Sequence, residues 1–396
     1  MSHPLQVADR TAFPLGAGVT LAELDHNPHP VLARLRETEP ASWLPALDGW
    51  LITRHDLALQ VMRDHETFTV DDPRFSTAQV IGPSMLSLDG PEHARHRTPF
   101  VAPFRTAQVR ARFAAATSVE VNSLIDELVP AGGAELRRAF AGPLAASIVA
   151  RVLGLGEAEV IAVLSWYDAI VASVTSITAG DGMTVDGERA FAALRDRLLE
   201  VISGADDASL LAAVAADSAL SSEQIVSNAA VLLFGGIETT EGMIANAVLA
   251  LLQRPDQHEL VRLHPELVEI AIEETLRLEP AAAVIDRYAA ADVRLAEASI
   301  AAGELVRVSL SAANRDPVVF PAPDSFDLAR GGARRHLAFA QGPHVCVGIH
   351  LARLEARVAL AALLTRLPRL RLDPQRPAAV RGLVFRKPPE LRVMWD

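Results

Sequence analysis

The chain has 396 residues, 50% of them hydrophobic, and its 37 basic and 49 acidic side chains give a formal net charge of −12. That charge argues against a nucleic-acid partner, because binding phosphates requires a strongly basic surface. A single cysteine cannot form an internal disulfide, so the sequence does not require an oxidising compartment.

The amino terminus and the apolar stretches carry no signal for export or membrane insertion. MSHPLQVADRTAFPLGAG lacks a basic stretch followed by an apolar run, and no later segment offers about 20 uncharged apolar residues. No Gly/Ser-rich or charged linker divides the chain, which favours one large domain over 1–396, with roughly the first 20 residues able to form a flexible segment. These features predict a cytoplasmic protein that is not attached to a membrane.

Helical periodicity dominates the chain, and strand-like runs are short. Two stretches rich in Gly, Pro, Ser, Thr and Asp, 67–91 and 173–187, break the helical pattern and are predicted to be lids or substrate walls. The sequence therefore predicts a mainly α fold with small β-sheets. The predicted helices lie at 105–129, 140–153, 188–202, 222–253, 265–279 and 347–367, and the strand-like runs at 49–54, 293–311 and the last residues of the chain.

Two motifs combine charge with helical spacing. His93 and Arg97, in DGPEHARHR, fall on one helical face, and His96 between them has no assigned role. Glu274 and Arg277, in EETLRLEP, are spaced i, i+3, which usually gives a solvated ion pair of little energetic consequence. Burial of that pair would require a further partner. Taken singly, each of these residues is an ordinary surface residue.

The stretch 221–255 predicts one long helix with two adjacent glycines at its centre. It opens with the capping-box sequence SSEQ and has no internal proline. Gly235 and Gly236 each cost about 1 kcal/mol relative to alanine and so require a local reason. One reason is close approach of a ligand. The other is a helix–helix crossing, with the hydroxyl of Thr239 bonded back to a carbonyl.

The only cysteine stands in the loop HLAFAQGPHVCVG, directly before a long helical pattern. At a helix N-terminus the backbone N–H groups and the helix dipole favour a thiolate, and the glycines permit a flat ligand to approach. A lone cysteine is most simply a small buried hydrophobic residue. The combined pattern is far more specific, and it consists of Phe339, Gly342, His344, Cys346 and Gly348.

The cysteine loop closely resembles the haem-binding loop of the cytochrome P450 family, and the other motifs follow in the order of that family. The resemblance implies that Cys346 is the thiolate ligand of the iron in haem b (iron protoporphyrin IX), with Phe339 shielding the sulfur and Gly348 completing the loop. Ala340 departs from the glycine of many bacterial members and is expected to be tolerated. By the same resemblance, the haem propionates are bound by His93, Arg97, Arg287 and His344.

The resemblance also implies a reaction. Glu238 and Thr239 in GGIETT match the acid and alcohol of the oxygen-activation motif of the family. The chain is therefore expected to be a soluble haem-thiolate monooxygenase of the bacterial type, which hydroxylates a C–H bond with O₂ and two electrons. A structural network that supports the haem loop is expected from Glu274, Arg277 and Arg330.

Two alternatives remain at this point. A peroxygenase, or a haem-thiolate isomerase or dehydratase, would not need the acid and alcohol of GGIETT. A recruitment domain that has kept the fold without haem would not need Cys346.

By the resemblance, the substrate pocket is mostly apolar and has small side chains at 281–283. It is expected to accept a medium or bulky hydrophobic small molecule such as a terpenoid, steroid, macrolide or aromatic natural product. The expected lining is the 67–91 loop with Val231, Gly235, Thr239, Ala283, Ile285 and Val384.

Electrons are expected from separate proteins, because the chain shows no flavin-binding segment and its one cysteine is already assigned. The expected donor is an acidic ferredoxin or flavodoxin with its reductase, acting on a monomer. A patch of basic residues around the cysteine loop is expected to bind this donor. The alternative is that these residues form only a solvated basic stripe. These residues are His350, Arg353 and Arg357 on one helical face, and Arg334 and Arg335 before the loop.

Overall fold

The computed structural model describes residues 10–156, 159–179, 181–204 and 210–395, and the chain forms two units. The prediction of one domain over 1–396 stays a prediction. The first unit contains the residues up to 70, 245–346 and 372–391, and the second contains 71–244, 347–371 and the residues from 392.

Helices make up most of the structure, as predicted. The six predicted helices match α7, α8, α10, α12, α14 and α16 to within a few residues at each end. Within the described residues the helices are α1 (Pro14–Ala17), α2 (Leu21–His26), α3 (His29–Thr38), α4 (His55–Arg63), α5 (Ser76–Ile81), α6 (Gly90–Val101), α7 (Thr106–Leu128), α8 (Gly142–Leu153), α9 (Val160–Ala179), α10 (Val185–Ser203), α11 (Leu210–Asp217), α12 (Ser222–Leu252), α13 (Pro255–Leu263), α14 (Val268–Leu278), α15 (Leu310–Ala313) and α16 (Ile349–Arg366).

The strands are short, again as predicted. All three predicted strand regions contain paired strands, although the C-terminal run contributes only three strand residues. In the part of the chain that the structure describes, the strands are β1 (Ala41–Leu44), β2 (Gly49–Ile52), β3 (Phe68–Thr69), β4 (Gly133–Glu135), β5 (Val284–Ala289), β6 (Val293–Leu295), β7 (Ala298–Ile300), β8 (Leu305–Ser309), β9 (Arg371–Leu372) and β10 (Arg392–Met394).

The first unit is built on a five-stranded sheet with the order β1-β2-β8-β5-β3. β2 and β8 are parallel, and the other neighbours are antiparallel. Side chains on β2 and β8 are buried on both faces, and Trp43 and Trp50 pack edge to face with ring centroids 5.6 Å apart. This sheet and the helices around it form the core of the first unit.

A buried charge cluster closes one end of the first unit. Glu279 follows α14, and its Oε1 lies 2.5 Å from Nε2 of His29 and 2.9 Å from Nη2 of Arg315. Burial alone would raise the pKa of Glu279, but the His29 hydrogen bond and the charges of His29, Arg315 and Arg386 lower it to about 2. The carboxylate therefore stays ionised in the folded protein at neutral pH and ties α3 to the end of α14.

The second unit is a set of packed helices in which α16 lies along α7 and α10 lies along α9. Nη2 of Arg366, at the end of α16, lies 2.5 Å from the Asp126 carboxylate on α7. Nε of Arg137 lies 2.6 Å from Oε1 of Glu241 on α12, and both side chains are buried. The short strands β4 and β10 pair at the edge of this unit.

Part of the predicted loop at 173–187 is helical. Residues 173–179 belong to α9 and 185–187 to α10, while residue 180 lies outside the described residues. The Ser/Thr-rich sequence has a low helix propensity, but Val163, Tyr167, Ile170 and Ser173 recur at helical spacing and are buried. Tertiary packing therefore overrides the local preference.

The 67–91 stretch is also more ordered than predicted. It contains β3, α5 and the first residues of α6, with irregular backbone between them. The segment 82–88, between α5 and α6, has irregular backbone, and its role as a lid or substrate wall stays a prediction.

Helix α9 contains a long apolar stretch. Its residues Val160–Ile177 have a mean hydropathy of 1.7 and are long and apolar enough to cross a membrane by length and composition. Asp168 lies near the middle of the helix, and its Oδ1 is 3.5 Å from Nη1 of Arg138. This stretch is 18 residues long and contains Asp168, so it does not contradict the expectation about stretches of roughly 20 uncharged apolar residues.

Candidate functional site

The cysteine loop is closed by its own backbone. The N–H of Cys346 donates to the carbonyl of Phe339 at 2.9 Å, and a 3₁₀ turn over Gly342–His344 lies between them. Gly348 is the N-cap of α16, so Cys346 stands three residues before the first helical residue, as predicted. The cysteine is exposed, which contradicts the simple interpretation of a lone cysteine as a buried hydrophobic residue.

Two residues in this loop have left-handed backbone conformations. Gly342 has φ of 74°, and a Cβ there would lie 2.4 Å from the carbonyl oxygen of Met62, so only glycine fits. Ala340 has φ of 57°, a conformation that costs a residue with a Cβ roughly 1 kcal/mol. Glycine would adopt it without strain, so the alanine at this position carries a small conformational cost that glycine would avoid.

Glu274, Arg277 and Arg330 meet inside the first unit. Arg277 binds Glu274 through two parallel hydrogen bonds of 2.8 Å, and Nε of Arg330 lies 2.9 Å from Oε1 of Glu274. Glu274 and Arg277 are fully buried. The third partner that burial of the pair requires is therefore present.

The arginines of this network also bind backbone carbonyls. Arg277 donates to the carbonyls of Asn314, Pro323 and Ser325 at 2.7–3.1 Å. The Arg330 guanidinium donates to the carbonyls of Pro321, Ala322 and Ser325. The network thus holds an irregular segment that carries no helix or strand of its own.

The same segment supports the start of the cysteine loop. Oδ1 of Asn314 accepts a 2.6 Å hydrogen bond from the N–H of Leu337. Nδ1 of His336 accepts from the N–H of Ala338, so its Nε2 carries the hydrogen and donates to buried Glu273 at 3.2 Å. Contacts from α14 therefore determine where the loop begins.

The four predicted propionate ligands are distributed over both units. His93 is buried and Arg97 is half-buried, and they lie one turn apart on α6 in the second unit. Arg287 on β5 is buried and donates to the carbonyl of Asp286 at 2.7 Å, and His344 lies half-buried in the 3₁₀ turn of the first unit. Burial raises the pKa of Asp286, although the charges of Arg307 and Arg287 act in the opposite direction.

The two adjacent glycines of α12 have different surroundings. A Cβ on Gly236 would lie 2.6 Å from Cγ2 of Val149 on α8, so Gly236 permits a helix–helix contact. A Cβ on Gly235 would meet nothing within 4 Å. Oγ1 of Thr239 donates to the carbonyl of Gly235 at 2.6 Å. The helix–helix crossing therefore explains Gly236, and the Thr239 hydroxyl bonds back to a carbonyl as that explanation expected, while ligand approach at Gly235 stays a prediction.

Val231, Gly235 and Thr239 recur every four residues and share one face of α12. All three are half-buried, whereas Glu238 beside them is buried. The capping box predicted for this helix is present, with hydrogen bonds in both directions between Ser221 and Gln224. The face with Gly235 at its centre leaves room for a ligand.

The remaining predicted pocket residues lie in the first unit. The N–H of Ala283 donates to the carbonyl of Val384 at 2.8 Å, and Ile285 and Val384 are half-buried. Ala283 is buried and lines a small internal cavity together with Leu24, Leu32, Leu51 and Leu383. Its side chain therefore borders the interior of the first unit.

Sequence reasoning missed several buried polar residues. Burial raises the pKa of the Glu355 carboxyl group on α16 well above its usual range. His96 and Asn228 are buried and hydrogen-bonded to each other in the second unit. Their only signal in the sequence is a polar residue on an apolar helical face, and that signal is weak without a known packing partner.

Comparison with known proteins gives consistent matches over most of the chain. The model of the family described as Cytochrome P450 matches residues 203–390. Nocardicin C N-oxygenase of Nocardia uniformis subsp. tsuyamanensis is 36% identical, covering 98% of this chain and 99% of that protein. Cytochrome P450 monooxygenase PikC of Streptomyces venezuelae is 34% identical, covering 92% and 90%. The crystal structure of CalO2 matches with a TM-score of 0.86 at 28% identity, covering 95% of this chain and 99% of that chain.

These similarities define an oxygenase fold of the haem-thiolate class. The chain belongs to the cytochrome P450 family. It is accordingly a cytochrome P450 monooxygenase, an oxidoreductase with a haem-iron cofactor that acts on small molecules.

The residues present fit a haem group. The only cysteine of the chain is exposed at the end of a loop closed by its own backbone, which suits a thiolate ligand of iron. Two arginines and two histidines occupy the motif positions expected for the haem carboxylates, and guanidinium groups bind carboxylates well. The open space beside Gly235 matches the need for room near a reacting ligand.

The two adjacent glycines should respond differently to alanine. Gly236→Ala should destabilise the protein by roughly 1–3 kcal/mol, because the new methyl group collides with Val149. Gly235→Ala should leave stability unchanged or raised by up to about 1 kcal/mol, because alanine favours the helix and nothing stands in its way. Urea unfolding measures both effects.

The second variant Val149→Ala serves as the control. Combined with Gly236→Ala it should restore part of the lost stability, because it removes the colliding methyl groups. Equal stability of Gly235→Ala and Gly236→Ala would contradict the assignment of Gly236 to the α8 contact.

Proposed function

We propose that this protein hydroxylates a C–H bond of a hydrophobic small molecule, using O₂ and two electrons from separate redox proteins. The observation that carries the proposal is the exposed Cys346 in a closed loop just before α16. When bound, a haem-thiolate group supplies the oxidising power for attack on an unactivated C–H bond. The rest of the mechanism rests on residues of this chain.

The cofactor proposed is haem b. Cys346 would hold the iron, Phe339 would shield the sulfur from water, and Gly348 would leave room at the start of α16. The carboxylates of the haem would be bound by the four residues that match the family motif, namely His93, Arg97, Arg287 and His344.

Oxygen activation is assigned to Glu238 and Thr239. The Thr239 hydroxyl now donates to the carbonyl of Gly235, and rotation about χ1 would let it hold a water or dioxygen instead. The Glu238 carboxyl group, buried on the same helix, can exchange protons with such a water. Two groups are required because holding the proton acceptor in place and delivering the proton are different tasks.

The substrate class follows from the apolar and small residues predicted for the pocket. A medium or bulky natural product such as a terpenoid, steroid, macrolide or aromatic compound is proposed. One relative carries the name nocardicin C N-oxygenase and covers nearly the whole chain, which favours oxygenation of nitrogen as a second candidate reaction. An amine-containing substrate therefore belongs in any activity panel.

A ferredoxin or flavodoxin with its reductase is proposed as the electron donor, and the enzyme is proposed to act as a cytoplasmic monomer. On α16, His350 and Arg357 are exposed and Arg353 is half-buried, which agrees with a basic helical face. Arg334 forms an ion pair with Glu269, so its charge is partly offset. Arg357 is accordingly the better candidate for contact with an acidic partner.

The haem assignment is tested by reduction under carbon monoxide. The purified protein should be red and should show the carbon monoxide difference band of thiolate-ligated iron. Cys346→His should keep some haem but lose that band, because imidazole replaces the thiolate. Failure of the wild-type protein to bind haem after supplementation would favour a haem-less recruitment domain and overturn the proposal.

Replacement of Thr239 should divert electrons rather than stop their flow. Thr239→Ala should bind haem and substrate normally, yet convert much of the consumed reductant into hydrogen peroxide, because proton delivery is then poorly positioned. Glu238→Gln should instead slow turnover by roughly 10²-fold, as expected for loss of a proton-transfer group.

The measurement is product, peroxide and reductant consumption in one reaction for each variant. Full coupling in Thr239→Ala would show that the hydroxyl is dispensable. Product formation driven by added peroxide alone, at the rate of the electron-driven reaction, would favour the peroxygenase alternative.

Reversal of charge on α16 should slow reduction by the redox partner. Arg357→Glu should lower the reduction rate at low ionic strength by roughly tenfold and should weaken its salt dependence, because a long-range attraction becomes a repulsion. Stopped-flow reduction with ferredoxin measures the rate. Arg189→Glu is the control, because Arg189 is an exposed arginine on α10. Equal rates for the two variants would contradict docking at α16.

A further inference from the structure

Asn228 on α12 joins three elements of the second unit through one side chain. Its Oδ1 accepts a 2.7 Å hydrogen bond from the N–H of Met85, in the segment 82–88. Its Nδ2 donates to the carbonyl of Gln224 at 2.7 Å, and to Nδ1 of His96 on α6 at 3.0 Å. Asn228, Met85 and His96 are all buried. These three residues are called the Asn228 junction below.

The hydrogen-bond pattern allows one arrangement of donors. Because Met85 supplies an N–H, the carboxamide must present its oxygen there, and its NH₂ group then faces His96. Nδ1 of His96 must therefore be the acceptor, and Nε2 carries the hydrogen. The 3.4 Å approach of Arg95 Nη2 to Nε2 is then a contact between two donors rather than a hydrogen bond.

The surroundings keep His96 in this neutral form. Burial and the charge of Arg95 lower the pKa of His96, while the charge of Glu92 opposes that change with smaller effect. A protonated imidazole would point an N–H at the NH₂ group of Asn228, so the neutral ring is the form that the junction requires.

Besides the bond from Met85 to Asn228, the hydrogen bonds that the structure describes for the segment 82–88 are local. Gly82 has φ of 81°, and a Cβ there would lie 3.1 Å from Oγ of Ser227, so the chain passes close to α12. Ser84 and Ser87 are buried and bond to each other through backbone and side chain, which closes the turn locally. The bond from Met85 to Asn228 is thus the polar link that fixes this turn to the helix.

The junction lies on the face of α12 assigned above to the substrate. Val231 and Gly235 follow Asn228 by three and seven residues and so share its face. The segment 82–88 is also part of the stretch predicted from the sequence to form a substrate wall. Anchoring this segment at Asn228 therefore sets the position of one wall of the proposed pocket.

We propose that Asn228, oriented by His96, is a positioning residue that determines substrate specificity by holding the segment 82–88 against α12. The role of the segment 82–88 as a substrate wall rests on the proposed function, whereas its contact with Asn228 does not. Asn228 does not touch the reacting atoms, so its removal should affect which substrates bind more than the chemistry that follows.

Loss of the carboxamide has a definite physical consequence. Asn228→Leu fills a similar volume but leaves the N–H of Met85 and Nδ1 of His96 buried without partners. The segment 82–88 can satisfy the Met85 N–H by moving outward into water, which widens the pocket beside it. Rigid substrates that rely on the original wall lose contact, and larger ones gain access.

Hydrogen exchange in the full-length protein without substrate tests the contact itself. Asn228→Leu should speed exchange of the peptide that contains the Met85 amide by roughly tenfold or more, which corresponds to the loss of one buried hydrogen bond. Asn246→Leu is the matched control, because Asn246 is also buried on α12 but binds the carbonyls of Glu279 and Arg386. It should leave exchange in 82–88 unchanged.

A substrate panel graded by size tests the specificity role. For the best substrate, Asn228→Leu should raise KM and the spectral Kd by roughly fivefold to tenfold, while kcat and coupling change less than about twofold. Relative kcat/KM should shift towards larger substrates. His96→Leu should behave like Asn228→Leu, whereas His96→Gln should restore most of the wild-type values, because its Oε1 can accept from Asn228.

The outcomes separate this proposal from the proposed function. Unchanged exchange at Met85 in Asn228→Leu would overturn the anchoring, whatever the activity of the protein. Faster exchange with an unaltered substrate profile, or no rescue by His96→Gln, would overturn the specificity role. Absence of haem would overturn the proposed function but leave the exchange result valid. If Asn228→Leu does not fold, His96→Leu gives the same exchange and substrate tests.

Discussion

The buried carboxylate of Glu274 is the constraint on which the first unit depends. An ionised carboxylate without solvent costs several kcal/mol unless it is paired and hydrogen-bonded, so the segments that supply its partners are not free to move. Arg277 and Arg330 satisfy the charge, and the same guanidinium groups bind carbonyls between Asn314 and Ser325. An irregular stretch of chain is thereby given one conformation.

The segment held in that conformation also fixes the start of the cysteine loop. Asn314 uses its side-chain oxygen to hold the N–H of Leu337, and the loop then closes through the bond from Cys346 to Phe339. Leu337 and the rest of the loop carry almost no regular structure, so their position comes from these polar contacts. The iron ligand proposed at Cys346 requires precise placement, and the buried pair of Glu274 and Arg277, remote in the chain, supports the segment that holds the loop.

Helix α12 combines close packing contacts with open space at adjacent residues. Gly236 meets α8 and Gly235 borders open space, although the two residues are adjacent and identical. The buried pair of Glu241 and Arg137 ties the helix to the segment before α8. Contacts through Gly236 and Glu241 thus fix α12, and the face with Gly235 and Thr239 is the one proposed above for substrate and oxygen. The different surroundings of Gly235 and Gly236 follow from the helical repeat, since neighbouring residues point about 100° apart.

The sequence by itself determined the family, the helical class and the residues of the motifs. The glycine and cysteine pattern of the loop, the GGIETT stretch and the long apolar periodicity are local signals that do not depend on distant contacts. The boundaries of α12 and α16 were predictable for the same reason, because the capping box at Ser221 and the N-cap at Gly348 are encoded within a few residues.

Only the tertiary structure decided the roles of residues whose partners are remote in the chain. His96 binds Asn228 across 132 positions, and Glu274 binds Arg330 across 56. A polar residue at a buried site is stable only when its partner is present, and no local pattern reveals that partner. The Ser/Thr-rich end of α9 became helical for a related reason, because burial of one apolar face outweighed a weak local preference. Local sequence therefore set the helices and the motifs, and long-range burial of polar groups set their arrangement within each unit.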